Sequence, residues 1–226
     1  MNILDFYNRL EIVPPNLVRH HLEVGAVTKH LINRWQREEI DKDLTLRTAL
    51  LHDMGNLVKY TFPLETQMYH EVIEHEDFWH QKHLELVKKY GHDADLATET
   101  MLKEHGFSEE AELLKEIREG KYIDDVLKIS HEAKLVFLAD GVVAPRGIVG
   151  VKARIADVKK RYVGNEKMPL WVEALKQNKG VVQEFVEFDL DELEKIDFSQ
   201  EIEKLKTHDI PLAKSQTLWD NWLDRR

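Results

Sequence analysis

An all-α fold is expected from this sequence, on three observations. Glycine and proline are sparse, at 10 and 6 in 226 residues. The stretches between them are rich in Leu, Glu, Lys and Ala, side chains that lose little freedom on entering a helix. No run alternates Val, Ile and Thr with polar residues in the period-two pattern of a half-buried strand. One segment, VVQEFVEFDL from Val181, reads as either strand or helix.

The first helix starts at the Pro14-Pro15-Asn16 turn, where proline suits the first helical position, and runs to about residue 39. Asp43 or Thr45 caps a second, which carries His52-Asp53 and stops near Gly55. A third covers about residues 65–90. A fourth covers 93–105 and ends at Gly106, since glycine tolerates the left-handed turn that closes a helix. Ser108-Glu109-Glu110 opens a fifth that ends near Gly120. A sixth starts at Ile123 or Ser130, reaches Val143 and is stopped by Pro145. A seventh covers 148–162. Beyond Pro169 the sequence is more charged and less regular, and short helices are expected. No internal repeat or low-complexity linker is evident. Residues 1–165 are read as one helical domain, and 166–226 as an extension packed on the same bundle.

The balance of 42 acidic and 32 basic residues gives a formal charge of −10. Such a surface argues against polymeric nucleic acid as a partner, because that binding depends on basic side chains neutralising phosphates. A small anion entering a locally positive pocket is compatible with it. The chain has no cysteine, which excludes disulfides, thiolate zinc sites and cysteine nucleophiles. No stretch reaches the roughly 20 apolar residues of a membrane span, and the start MNILDFYNRLEIVPP lacks a signal-type apolar run. A soluble, cytoplasmic protein is expected. Self-association into a homo-oligomer stays open.

Several polar residues fall on apolar faces. His20 shares a helical stripe with Val24, Val27, Leu31 and Trp35, so it is expected to face the core. His21 starts a different stripe with Gly25, Thr28 and Ile32. Asp53 lines up with Leu46, Ala49 and Leu50, and His52 is its neighbour. Asp140 shares a face with Ala133, Val136, Phe137 and Ala144. A lone inward histidine is usually bonded to a backbone carbonyl, and a buried aspartate is often a cap or an arginine's partner. Four such residues on three helices make separate explanations less economical. Two buried carboxylates cannot neutralise each other, whereas a divalent cation neutralises both and accepts two imidazoles. Nitrogen and oxygen donors together suit Mn, Fe, Co, Ni or Zn, with Mg also open.

The stretches RHHLEVGAVTKHL, TALLHDMGN and HEAKLVFLADGVV, followed by RIADVKKRY, resemble the HD superfamily of metal-dependent phosphohydrolases over about residues 17–162. The resemblance implies a helical bundle with a metal between helices. It implies His20, His52, Asp53 and Asp140 as ligands, since a Val follows four residues after the first His, as in His20-Val24. In branches with two metals, further histidines follow the pair. Here His70, His75, His80, His83 and His92 lie downstream, and His92, before an Ala-rich helix, is the best candidate for an extra ligand or phosphate contact. Glu76, His80 and His83 share a helix face, but a solvated charged helix is the preferred reading. Many members carry Lys, or a nearby Glu, just past Asp-x-Gly. This sequence has Asn56 there, so that residue's catalytic role is not transferred.

The resemblance implies hydrolysis of a nucleotide or other small phosphorylated metabolite by metal-activated water, with Asp53 orienting or deprotonating the water. Arg19, Lys134 and Arg146 are the candidate phosphate-binding residues, with Arg154 a further option. The alternatives are a regulatory domain that binds metal or nucleotide without turnover, and a di-iron oxygenase on the same scaffold.

Overall fold

The computed structural model describes residues 1–36, 39–64, 72–122 and 126–210. These are helical almost throughout, as the composition requires. Helix α1 (Ile3–Leu10) opens the chain, capped by the Asn2 side chain, which accepts from the Asp5 amide at 2.8 Å. This helix was not expected from the sequence; its apolar residues Ile3, Phe6, Tyr7 and Leu10 recur every three to four positions and are all buried. Helix α2 (Pro15–Ile32) begins at the double proline. It ends seven residues before the expected stop, because Trp35 leaves the helix to form an antiparallel bridge with Val186. Helix α3 (Lys42–Leu51) is capped by Asp41, not by Asp43 or Thr45: the Asp41 carboxylate accepts from the Leu44 amide at 2.9 Å. A short 3-10 turn, Asn56–Lys59, follows.

Of the third expected helix, the described residues form a 3-10 turn, Ile73–His75, and then helix α4 (Glu76–Tyr90). Residues 65–71, including His70, lie outside the described residues. Helix α5 (Ala94–Glu104) has Asp93 as its cap, and Gly106 follows it with a φ of 83°. Helix α6 (Ser108–Gly120) matches its expected bounds. Helix α7 (His131–Gly141) starts at the Ser130 cap; residues 123–125 lie outside the described residues. Pro145 ends no helix directly. Instead Val143–Ala144 (β1) and Gly147–Ile148 (β2) pair around it as a small antiparallel hairpin, so helix α8 (Val151–Arg161) starts three residues later than expected. Helix α9 (Met168–Gln183) is a regular helix of 16 residues rather than a short one. It ends inside VVQEFVEFDL, so that segment is helix at its start and irregular thereafter. A 3-10 segment (Leu190–Lys195) and helix α10 (Ser199–Lys206) complete the described chain.

Helices α2, α3 and α7 pack on one another at the centre. Val24, Val27, Leu31, Ala49, Leu50, Leu51, Leu135 and Leu138 are all fully buried there. Truncating one such leucine to alanine typically costs about 2–5 kcal/mol, because the cavity adds to the lost transfer energy. Helix α9 packs on α7, and α10 on α2. The Ile3 amide donates to the His208 carbonyl and the Ile210 amide to the Met1 carbonyl, each at 2.9 Å. Residues 166–210 therefore pack on the central bundle through α9 and α10. Among the described residues, no helix is long and apolar enough to cross a membrane.

Candidate metal centre

His20 projects from the second turn of α2. Its Nε2 lies 3.2 Å from His52 Nε2 and 3.2 Å from Asp140 Oδ1. His52 Nε2 is 3.6 Å from the same Asp140 oxygen. These three side chains offer ligand atoms within reach of one ion. Asp53 Oδ2 stands slightly farther out, 4.0 Å from His20 Nε2 and 3.9 Å from His52 Nε2. An octahedral ion with bonds near 2.1 Å sets neighbouring donors about 3 Å apart and opposite donors about 4 Å apart. The three closest donors are near the first spacing, and Asp53 stands beyond it from both imidazoles. Nitrogen and carboxylate donors in this number suit a divalent transition metal.

Two neighbours fix how these groups point. The Ala49 carbonyl lies 2.8 Å from His52 Nδ1. A carbonyl only accepts, so Nδ1 carries the hydrogen and the neutral ring turns its Nε2 lone pair toward the cluster. The Asn56 amide nitrogen donates to Asp53 Oδ2 at 2.6 Å, setting that carboxylate's rotation. Helix α3 stops at Leu51, with His52 as its cap, so Asp53 lies in the following turn and not on the helix face expected from its alignment with Leu46 and Ala49. Leaving the helix frees the adjacent pair from the roughly 100° divergence of consecutive helical side chains. Gly55 holds the turn in place. Its amide donates to Thr98 Oγ1 at 2.8 Å, and a Cβ there would sit 2.6 Å from the Thr98 backbone nitrogen.

The electrostatics of the cluster favour added positive charge. Burial opposes charging His52, but Asp53 and Asp140 outweigh it and lift its pKa to about 9. Burial also works to raise the Asp140 carboxyl, and the His20 and His52 imidazoles hold it well below its ordinary range. A divalent cation supplies that charge with the imidazoles neutral.

His20 lies in the cluster, and its side chain is 21 % exposed at the floor of an open cavity. The fully buried member of the pair is His21, wedged between Tyr7 and His52 with ring centres 5.4 and 5.2 Å away. Burial holds its pKa well below the usual value. The stripe placed His20 toward the core, and its companions Val24, Val27 and Leu31 are buried, but His20 itself faces the cavity; the buried histidine is His21, because α1, which covers it, was not foreseen.

The cavity has a volume of about 690 Å³, within the range of small-molecule sites. Outside the metal cluster, basic side chains outnumber acidic ones on its walls. Arg19 lines it and donates to the Pro145 carbonyl at 3.1 Å. Arg154 also lines it, with Nη1 on Asp157 at 3.0 Å. Arg118 is held by Glu99 at 2.6 Å, and Lys121 by Asp95 at 2.5 Å. Lys59 is exposed at its edge. Arg118, Lys121, Lys59 and Trp171 carried no spacing signal in the sequence; only the bundle brings them to the cavity.

Lys134 does not belong to it. Six positions before Asp140, it falls on another face of α7, is 4 % exposed, and donates its ammonium to the Leu127 and Ile129 carbonyls. Arg146 sits exposed at the turn of the β1–β2 hairpin and is not among the lining residues. His92 lines the cavity but stands outside the ligand cluster. Glu76, His80 and His83 fasten α4 to the preceding chain. Glu76 accepts from the Leu64 amide at 2.8 Å, His80 stacks on Phe62 at 4.6 Å, and His83 Nδ1 meets the Leu57 carbonyl at 2.9 Å.

The family model for the HD domain matches residues 17–144. That span is more than half of the chain and contains His20, His52, Asp53 and Asp140. The chain belongs to the HD domain family. No curated protein and no solved structure matches the chain. Within this HD protein, the matched span stops before α8, α9 and α10. The cavity does not: Arg154, Arg161, Met168 and Trp171 line it from beyond the match.

Proposed function

We propose that this HD protein is a metal-dependent phosphohydrolase acting on a nucleotide or another small phosphorylated metabolite. The observation that carries the reading is the convergence of His20, His52 and Asp140 on the floor of a cavity with basic walls. A bound divalent ion supplies Lewis acidity there and lowers the pKa of water at the site. His20, His52 and Asp140 hold the ion, and Asp53 completes the donor set from its turn.

The chain's own groups supply the rest. Asp53, oriented by Asn56, is placed to take a proton from the attacking water. The water oxygen bonds to phosphorus as the bond to the leaving oxygen breaks. Arg19, beside His20, binds the phosphate oxygens, as guanidinium does well. Arg154 and Lys59 add positive charge to the walls. The acidic balance of the whole chain then keeps polymeric nucleic acid away while the cavity accepts a small anion.

The test is metal content by elemental mass spectrometry, wild type beside His20→Ala, followed by phosphate release from nucleotides and sugar phosphates. About one equivalent of metal, lost in the variant, together with metal-dependent phosphate release, is the expected result. No uptake of Mn, Fe, Co, Ni or Zn sinks the reading. Metal uptake with tight nucleotide binding and no phosphate release favours a regulatory domain. Two irons and oxygen consumption favour an oxygenase.

A further inference from the structure

Phe137 lies one helical turn before Asp140 on α7, so the two share a face. Its ring is 3 % exposed and meets the Trp171 indole edge-on, with centres 6.2 Å apart at 77°. Trp171 comes from α9, is half-buried against the core, and lines the cavity with Phe137, Val136 and Val158. The indole and the metal cluster line the same cavity. A phosphate held at the metal leaves most of the 690 Å³ cavity to the rest of the substrate. An aromatic wall favours a flat apolar body, and disfavours a second phosphate laid against it, whose desolvation it does not repay.

We propose that Trp171 is a specificity-determining residue, which seats a flat, ring-bearing body joined to the phosphate that reacts at the metal. The inference rests on the phosphohydrolase reading and deepens it. Selection for the substrate's body then comes from α9, outside the span that marks the family.

The experiment uses the full chain loaded with manganese and two esters, 1-naphthyl phosphate and methyl phosphate. Turnover and calorimetric binding are measured for wild type, Trp171→Ala and Trp171→Phe. Wild type is expected to prefer the naphthyl ester in kcat/KM. Trp171→Ala is expected to cut that preference about threefold to tenfold, through KM, in line with the worth of one aromatic contact. Trp171→Phe keeps most of it. If thermal unfolding shows that Trp171→Ala does not fold, Trp171→Leu carries the same test. An unchanged preference, or equal losses on both esters, overturns the inference and leaves the hydrolase standing. Naphthyl ester binding that weakens in Trp171→Ala, with no phosphate release from any protein, keeps the seat and removes the hydrolase.

Discussion

The Asn56 amide anchors the Asp53 carboxylate at 2.6 Å. Partners of this kind orient ligands, and their loss usually lowers metal affinity about 10- to 100-fold. Asn56→Ala is therefore expected to weaken metal binding by about that factor, measured by competition with a chelator. An unchanged affinity would show that Asp53 needs no anchor. Asp53→Ala itself is expected to lose the metal and the activity together; full metal content in that variant would remove Asp53 from the ligand set. At this scale much of the centre was legible in the sequence. His20, His52 and Asp140 stood out because a polar group on an apolar face has to be explained. Asp53 was singled out by a helix-face alignment with Leu46 and Ala49 that does not hold, since its helix ends before it. Lys134 misled because proximity along the chain to Asp140 says nothing of which side of α7 it occupies.

The turn after His52 works as an element because α5 approaches it closely. Gly55→Ala would drive a methyl group into the Thr98 backbone nitrogen, 2.6 Å away, where no rotamer relieves the clash. The expected cost is about 1–3 kcal/mol, read as a lower urea midpoint at unchanged m, together with weaker metal binding as Asp53 moves with the turn. Normal stability with normal metal affinity would show that α5 can retreat. Helices closed by strong local signals were legible, as with α5 and its cap at Asp93, or α6 between Ser108 and Gly120. Boundaries set by distant partners were not. Trp35 leaves α2 for Val186, and β1 and β2 pair around Pro145; neither pairing has a signal within a single helical window.

The whole molecule carries histidines whose environments resist charging. Burial and Arg34 push the His30 pKa down to about 4, against the pull of Glu201. Burial also lowers His105 and His208. In the unfolded chain such groups take up protons near pH 6.5, and in the folded protein only below that. For these three histidines the unfolded state binds more protons through this window, so their contribution to stability is fully present above about pH 6.5 and falls as pH drops toward 4, whereas His52, raised to about 9, contributes in the opposite sense in the metal-free protein. Urea unfolding of wild type beside His30→Gln, at pH 7.5, 6 and 5, checks the trend for His30; a loss of stability on acidification that is no smaller in the variant would contradict it. The donors of the metal centre have another consequence at this scale. Between His52 and Asp140 the chain runs out through α4, α5 and α6 and returns on α7. An ion held by both residues ties the two ends of that long excursion together. It can bind only where the ends meet, so each opening of the excursion must first release it. Amide hydrogens in α2 and α7 should then exchange with solvent more slowly, and by a common factor, as free metal is raised.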